Sequence, residues 1–159
     1  LSLRANLGYL DTEYDNFQYT ALDGTVVDLS SLEFRRAPDV TGTLDATYEW
    51  DMAGGTAWVR GSYHYSGGHF TNVTNSPELE NDGQSLVDAS VNYAMSNGLT
   101  LSLFGRNLTD EDGYSHGYDV AGLWSYAAVR APRTYGVELV YFKLSNTLLN
   151  EASPAVATV

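Results

Sequence analysis

The chain has 159 residues, with eight Lys and Arg against twenty Asp and Glu, a formal net charge of −12. That acid excess excludes a nucleic-acid binder, which needs a basic stripe facing phosphates, and a basic helix lying on an anionic membrane. With no cysteine there is no disulfide framework, thiolate metal site or cysteine nucleophile.

Twelve Tyr and fifteen Gly, against four Pro and two Met, weight the chain toward strands and turns. No apolar run reaches the roughly eighteen residues of a transmembrane helix. No basic start followed by an apolar stretch opens the chain at Leu1, so no signal peptide is expected within these residues.

In chain order, Leu3, Ala5, Leu7 and Tyr9 alternate with Ser2, Arg4, Asn6 and Gly8, which predicts a first strand with one apolar face. A long connection follows, over about Thr20 to Glu33. From Asp39 to Trp50 the alternation is unbroken. Val40, Gly42, Leu44, Ala46, Tyr48 and Trp50 share one parity, and Asp39, Thr41, Thr43, Asp45, Thr47 and Glu49 the other. Met52-Ala53-Gly54-Gly55 then reads as a tight hairpin turn.

A third strand has Ala57, Val59, Gly61, Tyr63 and Tyr65 on its apolar parity, and a long connection spans Ser66 to Gly83. The fourth strand, through Val87, Ala89, Val91 and Tyr93, turns at Ser96-Asn97-Gly98 into a fifth, through Leu99, Leu101, Leu103 and Gly105. After a last long connection over Leu108 to Pro132, Tyr135, Val137, Leu139 and Tyr141 mark a sixth strand. Residues 143–159 have no clean dyad and include Pro154, which predicts a flexible or foreign tail beyond a unit spanning 1–142.

Each strand approaches the roughly 9–11 residues of a tilted transmembrane strand. Short turns on one side and long loops on the other are the topology of an up-and-down outer-membrane β-barrel, with periplasmic turns and extracellular loops. Tyr48, Trp50, Tyr93 and Tyr141 near one end of the strands, with Tyr63 and Tyr65 near the other, fit two interfacial aromatic girdles. The expected fold is therefore all-β and antiparallel. A porin-like or other outer-membrane barrel is one alternative. A soluble carbohydrate-binding β-sandwich is another, since it also alternates; its core would need more bulk than these Ala, Gly, Val and Leu faces supply.

Three stretches extend the reading. Asn97-Gly98-Leu99-Thr100-Leu101-Ser102-Leu103-Phe104-Gly105-Arg106-Asn107-Leu108-Thr109-Asp110-Glu111 resembles the penultimate strand of TonB-dependent outer-membrane receptors, running into its loop. Arg130-Ala131-Pro132-Arg133-Thr134-Tyr135-Gly136-Val137-Glu138-Leu139-Val140-Tyr141-Phe142 resembles the closing strand of that family, and Arg36-Ala37-Pro38-Asp39-Val40-Thr41-Gly42 an earlier strand entry. The resemblance covers residues 1 to 142 and implies the C-terminal β-barrel portion of such a receptor. The family fold is a barrel of about 22 strands around a plug. It implies partners: outer-membrane lipid, the rest of the barrel with its plug, the TonB complex, and a small ligand such as a ferric siderophore. It places the protein in the outer membrane of a Gram-negative bacterium. About six strands cannot close a barrel, which takes at least about eight.

No chemistry of bond making is expected. There is no G-x-S-x-G, H-E-x-x-H or phosphate loop, so neither an enzyme nor a cofactor is anticipated. His64, His69 and His116 show no metal-ligand spacing. Asp110, Asp112, Gly113 and Asp119 resemble the start of a calcium loop but lack its distal Glu, and read as a solvated acidic loop. Asn72-Val73-Thr74 and Asn107-Leu108-Thr109 match the N-glycosylation pattern by accident. The candidate ligand-binding residues are aromatic and sit in long loops: His69, Phe70, Tyr114, His116, Tyr118, Trp124 and Tyr126. Their rings suit a flat, partly apolar ligand such as a catecholate siderophore or a haem, or a stacked sugar.

Overall fold

The computed structural model describes residues 1–120 and 123–142. The expected tail, 143–159, lies outside them. Six long strands form one antiparallel sheet: β1 (Ser2–Tyr9), β4 (Val40–Met52), β5 (Gly55–Ser66), β8 (Gln84–Met95), β9 (Leu99–Arg106) and β12 (Thr134–Tyr141), in that spatial order. Each long strand pairs with the next long strand in the chain, so the sheet is an up-and-down meander. Three short hairpins ride on the long connections: β2 (Gln18–Thr20) with β3 (Val26–Asp28), β6 (His69–Phe70) with β7 (Glu80–Asn81), and β10 (Tyr114–Val120) with β11 (Trp124–Val129). A 3-10 turn, Pro77–Leu79, precedes β7.

The alternation predicts the register. Ala5 lies opposite Leu44 and Leu44 opposite Tyr63, while Tyr63 pairs with Val87. Two levels toward the turns, Tyr48, Val59, Val91, Leu103 and Val137 form a continuous row. A one-residue slip would move every one of these side chains to the other face. The opposite face is polar and carries Arg4, Asp45, Arg60, Asp88 and Arg106, with an ion pair of 3.6 Å between Arg60 and Asp45. The Arg106 guanidinium also sits over the Phe104 ring, 5.2 Å from its centroid.

Glycine has a packing role on the last two strands. Gly105 lies opposite Tyr135 and Gly136 opposite Phe104. An added Cβ at Gly136 would strike the Phe104 ring, and one at Gly105 would strike Leu108 and crowd the Tyr135 ring. Gly54 and Gly98, at φ 84° and 87°, supply the left-handed conformations that the two tight turns require.

The strands are longer than the alternation alone predicts. The second and third run to Met52 and Ser66, and the fourth starts at Gln84. The ladder continues through Asp51 and Met52 on the second strand and through the Ser66–Gln84 pair on the third and fourth. The first long connection also begins earlier than expected, at Leu10.

Among the described residues no second sheet covers the apolar face, which is not the arrangement of a sandwich. Among the described residues the buried apolar side chains are Ala57 and Leu79 alone, whereas Leu7, Leu44, Val91, Val137 and Leu139 are exposed. Tyrosines bracket the exposed face. Tyr9, Tyr63, Tyr65 and Tyr135 lie toward the long loops, and Tyr48, Trp50, Tyr93 and Tyr141 toward the short turns. The eight residues from Tyr65 back to Ala57, which pairs with Trp50 and Tyr93, span about 26 Å along the strand. The apolar band of a membrane barrel is about 25 Å tall.

The sheet is open, with β1 and β12 at its edges. Open edges and an apolar face invite association in water. The chain purified alone is expected to self-associate in buffer and to become monodisperse only with detergent. Size-exclusion chromatography with light scattering checks this; a detergent-free monomer would contradict it.

Candidate functional site

The three long connections leave the same end of the sheet and are tied to one another. Asn75 binds Glu33 in both directions, accepting from its N–H at 2.6 Å and donating to its carbonyl at 3.0 Å. The Arg36 N–H donates to the Phe70 carbonyl at 2.8 Å. These bonds join the first connection to the second. Within the first, Asp23 accepts the Thr25 N–H and Asp28 the Ser30 N–H, both at 2.9 Å. Those backbone donors favour the charged form and hold both carboxyls below their ordinary range.

The second connection is joined to the third by Asn81, which is 2% exposed. Its Oδ1 accepts the Tyr114 N–H at 2.7 Å and its Nδ2 donates to the Tyr114 carbonyl at 2.8 Å. Gln84 Nε2 donates to the Asp112 carbonyl at 3.0 Å, and Arg130 donates to Gln84 Oε1. Around Asn107 the start of the third connection is folded into a corner. Its N–H reaches Asp88 Oδ1 at 2.8 Å. Its Nδ2 donates to the carbonyls of Glu111, at 3.0 Å, and Ala131, at 3.3 Å, while its Oδ1 accepts the Glu111 N–H at 2.9 Å. Asn107 sits at φ 50°, which Asn tolerates better than most residues. This corner is the physical content of the Arg-Asn-Leu-Thr-Asp stretch. A buried, fully engaged amide also explains why the glycosylation pattern there carries no meaning.

Asn107→Ala would strand the Glu111 N–H and two carbonyls in a half-buried corner. The expected loss is about 1–3 kcal/mol, with the third connection loosened. Hydrogen exchange at Glu111 reads it out: protection unchanged from the parent would show that the corner does not depend on this amide.

The β10–β11 hairpin has two unlike faces. Gly117 and Ala127 form one pair, and Asp119 and Ser125 the next. This small-residue face packs on the second connection. A Cβ at Gly117 would collide with Thr71 and Leu79, and Ser125 Oγ donates to Glu78 Oε1 at 2.9 Å. The other face carries His116, Tyr118, Val120, Trp124 and Tyr126, with Tyr118 directly opposite Tyr126. Tyr118, Trp124 and Tyr126 are 64%, 59% and 52% exposed. His116 stands against Tyr126, ring centroids 5.9 Å apart.

The seven candidate residues therefore divide. His116, Tyr118, Trp124 and Tyr126 share one exposed hairpin face. His69, Phe70 and Tyr114 are half-buried among the loops. His69 Nδ1 lies 3.2 Å from the Gly67 carbonyl and its Nε2 3.4 Å from Asn81, and Tyr114 is clamped through its backbone. Sequence reasoning missed Asn75, Asn81 and Asn107. Nothing in the local pattern singles out an asparagine whose partners lie 24 to 42 residues away.

A meander with one lipid-type face, one polar face, aromatic girdles and loops sorted by side defines a segment of an outer-membrane β-barrel. The family model for TonB-dependent receptor-like β-barrels matches residues 1–108, and the chain belongs to that family. That assignment replaces the porin-like and sandwich alternatives. Among solved structures, the siderophore receptor PiuA from Acinetobacter baumannii is similar, with 23% identity, a TM-score of 0.66, and coverage of 86% of this chain and 18% of that one. The ferric yersiniabactin uptake receptor FyuA from Yersinia pestis is similar with 20% identity, a TM-score of 0.61, and coverage of 69% of this chain and 17% of that one. The chain thus spans less than a fifth of either receptor. The family is one of transport receptors.

Proposed function

We propose that this chain is the C-terminal barrel portion, residues 1–142, of an outer-membrane receptor that takes up an iron–siderophore complex. Residues 143–159 form a tail separable from it. The observation that carries the reading is the exposed aromatic face of the β10–β11 hairpin, held rigidly on the long-loop side of the sheet. Exposed rings on a fixed scaffold are where a partly apolar ligand gains contact area. The fold likeness to two receptors described as siderophore receptors supports the ligand class.

In this reading the apolar face meets outer-membrane lipid, and β1 and β12 continue into the rest of the barrel. The polar face, with Arg60, Asp88, Asn92, Ser102, Arg106 and Glu138 around a shallow groove, lines the lumen and faces the plug domain. The TonB complex acts through the plug-bearing part of the intact receptor. The chain binds and hands on; no bond is made or broken.

The test is uptake of radiolabelled ferric siderophores by cells expressing the intact receptor, with and without a working TonB complex. Binding in both cases, with accumulation only where the complex works, is expected. An inserted receptor that binds no ferric complex and leaks small solutes without TonB would overturn the reading.

A further inference from the structure

The charge around the aromatic face narrows the ligand class. The connections 10–39, 67–83 and 107–133 carry seven, three and four carboxylates, against two, none and two arginines, and no lysine. The hairpin strands themselves contain no Arg or Lys. The two arginines that follow them are held at the hairpin's base, where the Arg130 Nε is buried without a partner. Arg130 donates to Gln84, and Arg133 pairs with Asp110 at 3.0 Å. Against the base of the hairpin, Glu80, Asp82, Asp110, Glu111 and Asp112 share a cleft with Tyr114, Val129 and Arg130. Glu78 reaches the hairpin through Ser125.

Two independent features therefore favour the same ligand charge. The faces of Tyr and Trp rings carry negative potential and attract a cation placed over them. A concave surface of one sign focuses the field and concentrates counter-charged solutes by roughly ten- to a thousandfold. An anionic ligand, such as a tris-catecholate iron complex or a haem with its propionates, meets repulsion from the carboxylate excess of these loops.

We infer that these loops select a ferric complex of net positive charge, of the kind formed by a linear trihydroxamate bearing a free ammonium group. The inference rests on the siderophore reading and deepens it. Its apolar chain and iron centre lie along Tyr118, Trp124 and Tyr126, and its ammonium faces the carboxylates at the hairpin base.

Three ferric trihydroxamate complexes that differ at one terminal nitrogen test this. The free ammonium form is singly positive, the acetylated form neutral and the succinylated form singly negative. Their Kd values are measured on the intact receptor in lipid nanodiscs at low and physiological salt. The positive complex is expected to bind about tenfold more tightly than the negative one, with the gap shrinking as salt screens it. The same gap shrinks in the Glu80→Gln, Asp82→Asn, Asp112→Asn variant, while binding of the neutral complex reports that the loops remain folded. Equal affinities, or tightest binding of the negative complex, overturn the inference and leave the siderophore reading intact. If none of the three complexes binds, the siderophore reading fails instead. The charge inference is then decided by benzyltrimethylammonium. Binding of that cation that weakens in the triple variant upholds it; no binding overturns it.

Discussion

Leu44→Arg is expected to destabilise the lipid-inserted receptor by about 1–3 kcal/mol, between the midplane and interfacial costs, whereas Thr43→Arg is tolerated. The two residues are neighbours in sequence and opposite in environment. Leu44 lies on the apolar face between Ala5 and Tyr63, one row inside Tyr65 and about 7 Å from the middle of the apolar band. A guanidinium there must be drawn out of water into hydrocarbon, and at this depth snorkelling recovers only part of the loss. Thr43 lies on the polar face, between Asn6 and His64, and its hydroxyl accepts a hydrogen bond from Asn6 Nδ2 at 2.9 Å. An arginine there joins Arg4, Arg60 and Arg106 on the same face and keeps its hydration. Equilibrium refolding into bilayers, titrated with denaturant, measures both variants. Equal losses at the two positions would mean that the faces have been assigned wrongly.

That contrast was legible before any coordinates because a strand has a period of two, and one residue's parity fixes its face. Six strands, their order of connection and the sorting of loops by side all followed from that period and from glycine-bearing turns. The hairpins within the loops were harder to see. Asp23-Gly24, between Tyr19 and Val26, is a turn signal of the kind that makes two-residue hairpins, but the strands it joins have three residues each, too few for a dyad to register. β6 and β7 have two each.

The hairpin at 114–129 does alternate. Tyr118 and Val120, and Trp124 and Tyr126, fall on one parity across a short turn. Read only for aromatic content, the segment is a long loop. What no local pattern could disclose was which of its faces is covered. That depends on Gly117 meeting Thr71 and Leu79, residues brought there by β5 and β8. The same holds for the asparagine clamps. They join segments that become neighbours only once the sheet has set the loop ends side by side.

The division of the hairpin into a packed face and an open one yields the second large effect. Tyr118→Ala, Trp124→Ala and Tyr126→Ala together are expected to weaken binding of a ferric siderophore to the intact receptor by about ten- to a thousandfold. A well-placed aromatic contact contributes roughly 0.5–1.5 kcal/mol, and each 1.4 kcal/mol or so is a factor of about ten in affinity. Stability should hardly change. The three rings are more than half exposed, and surface substitutions of this kind stay within about 0.5 kcal/mol. Phe70→Ala provides the contrast. The Phe70 ring is half-buried among the loops, so truncation there should act on loop order, visible as faster proteolysis of the loops, before it acts on affinity. Titration of the ferric complex against the inserted receptor, beside limited proteolysis of the same samples, separates the two effects. If the triple variant is intact to protease and binds with unchanged affinity, the open face of the hairpin is not where the ligand rests. If affinity falls only together with proteolytic resistance, the rings hold the loops and do not touch the ligand.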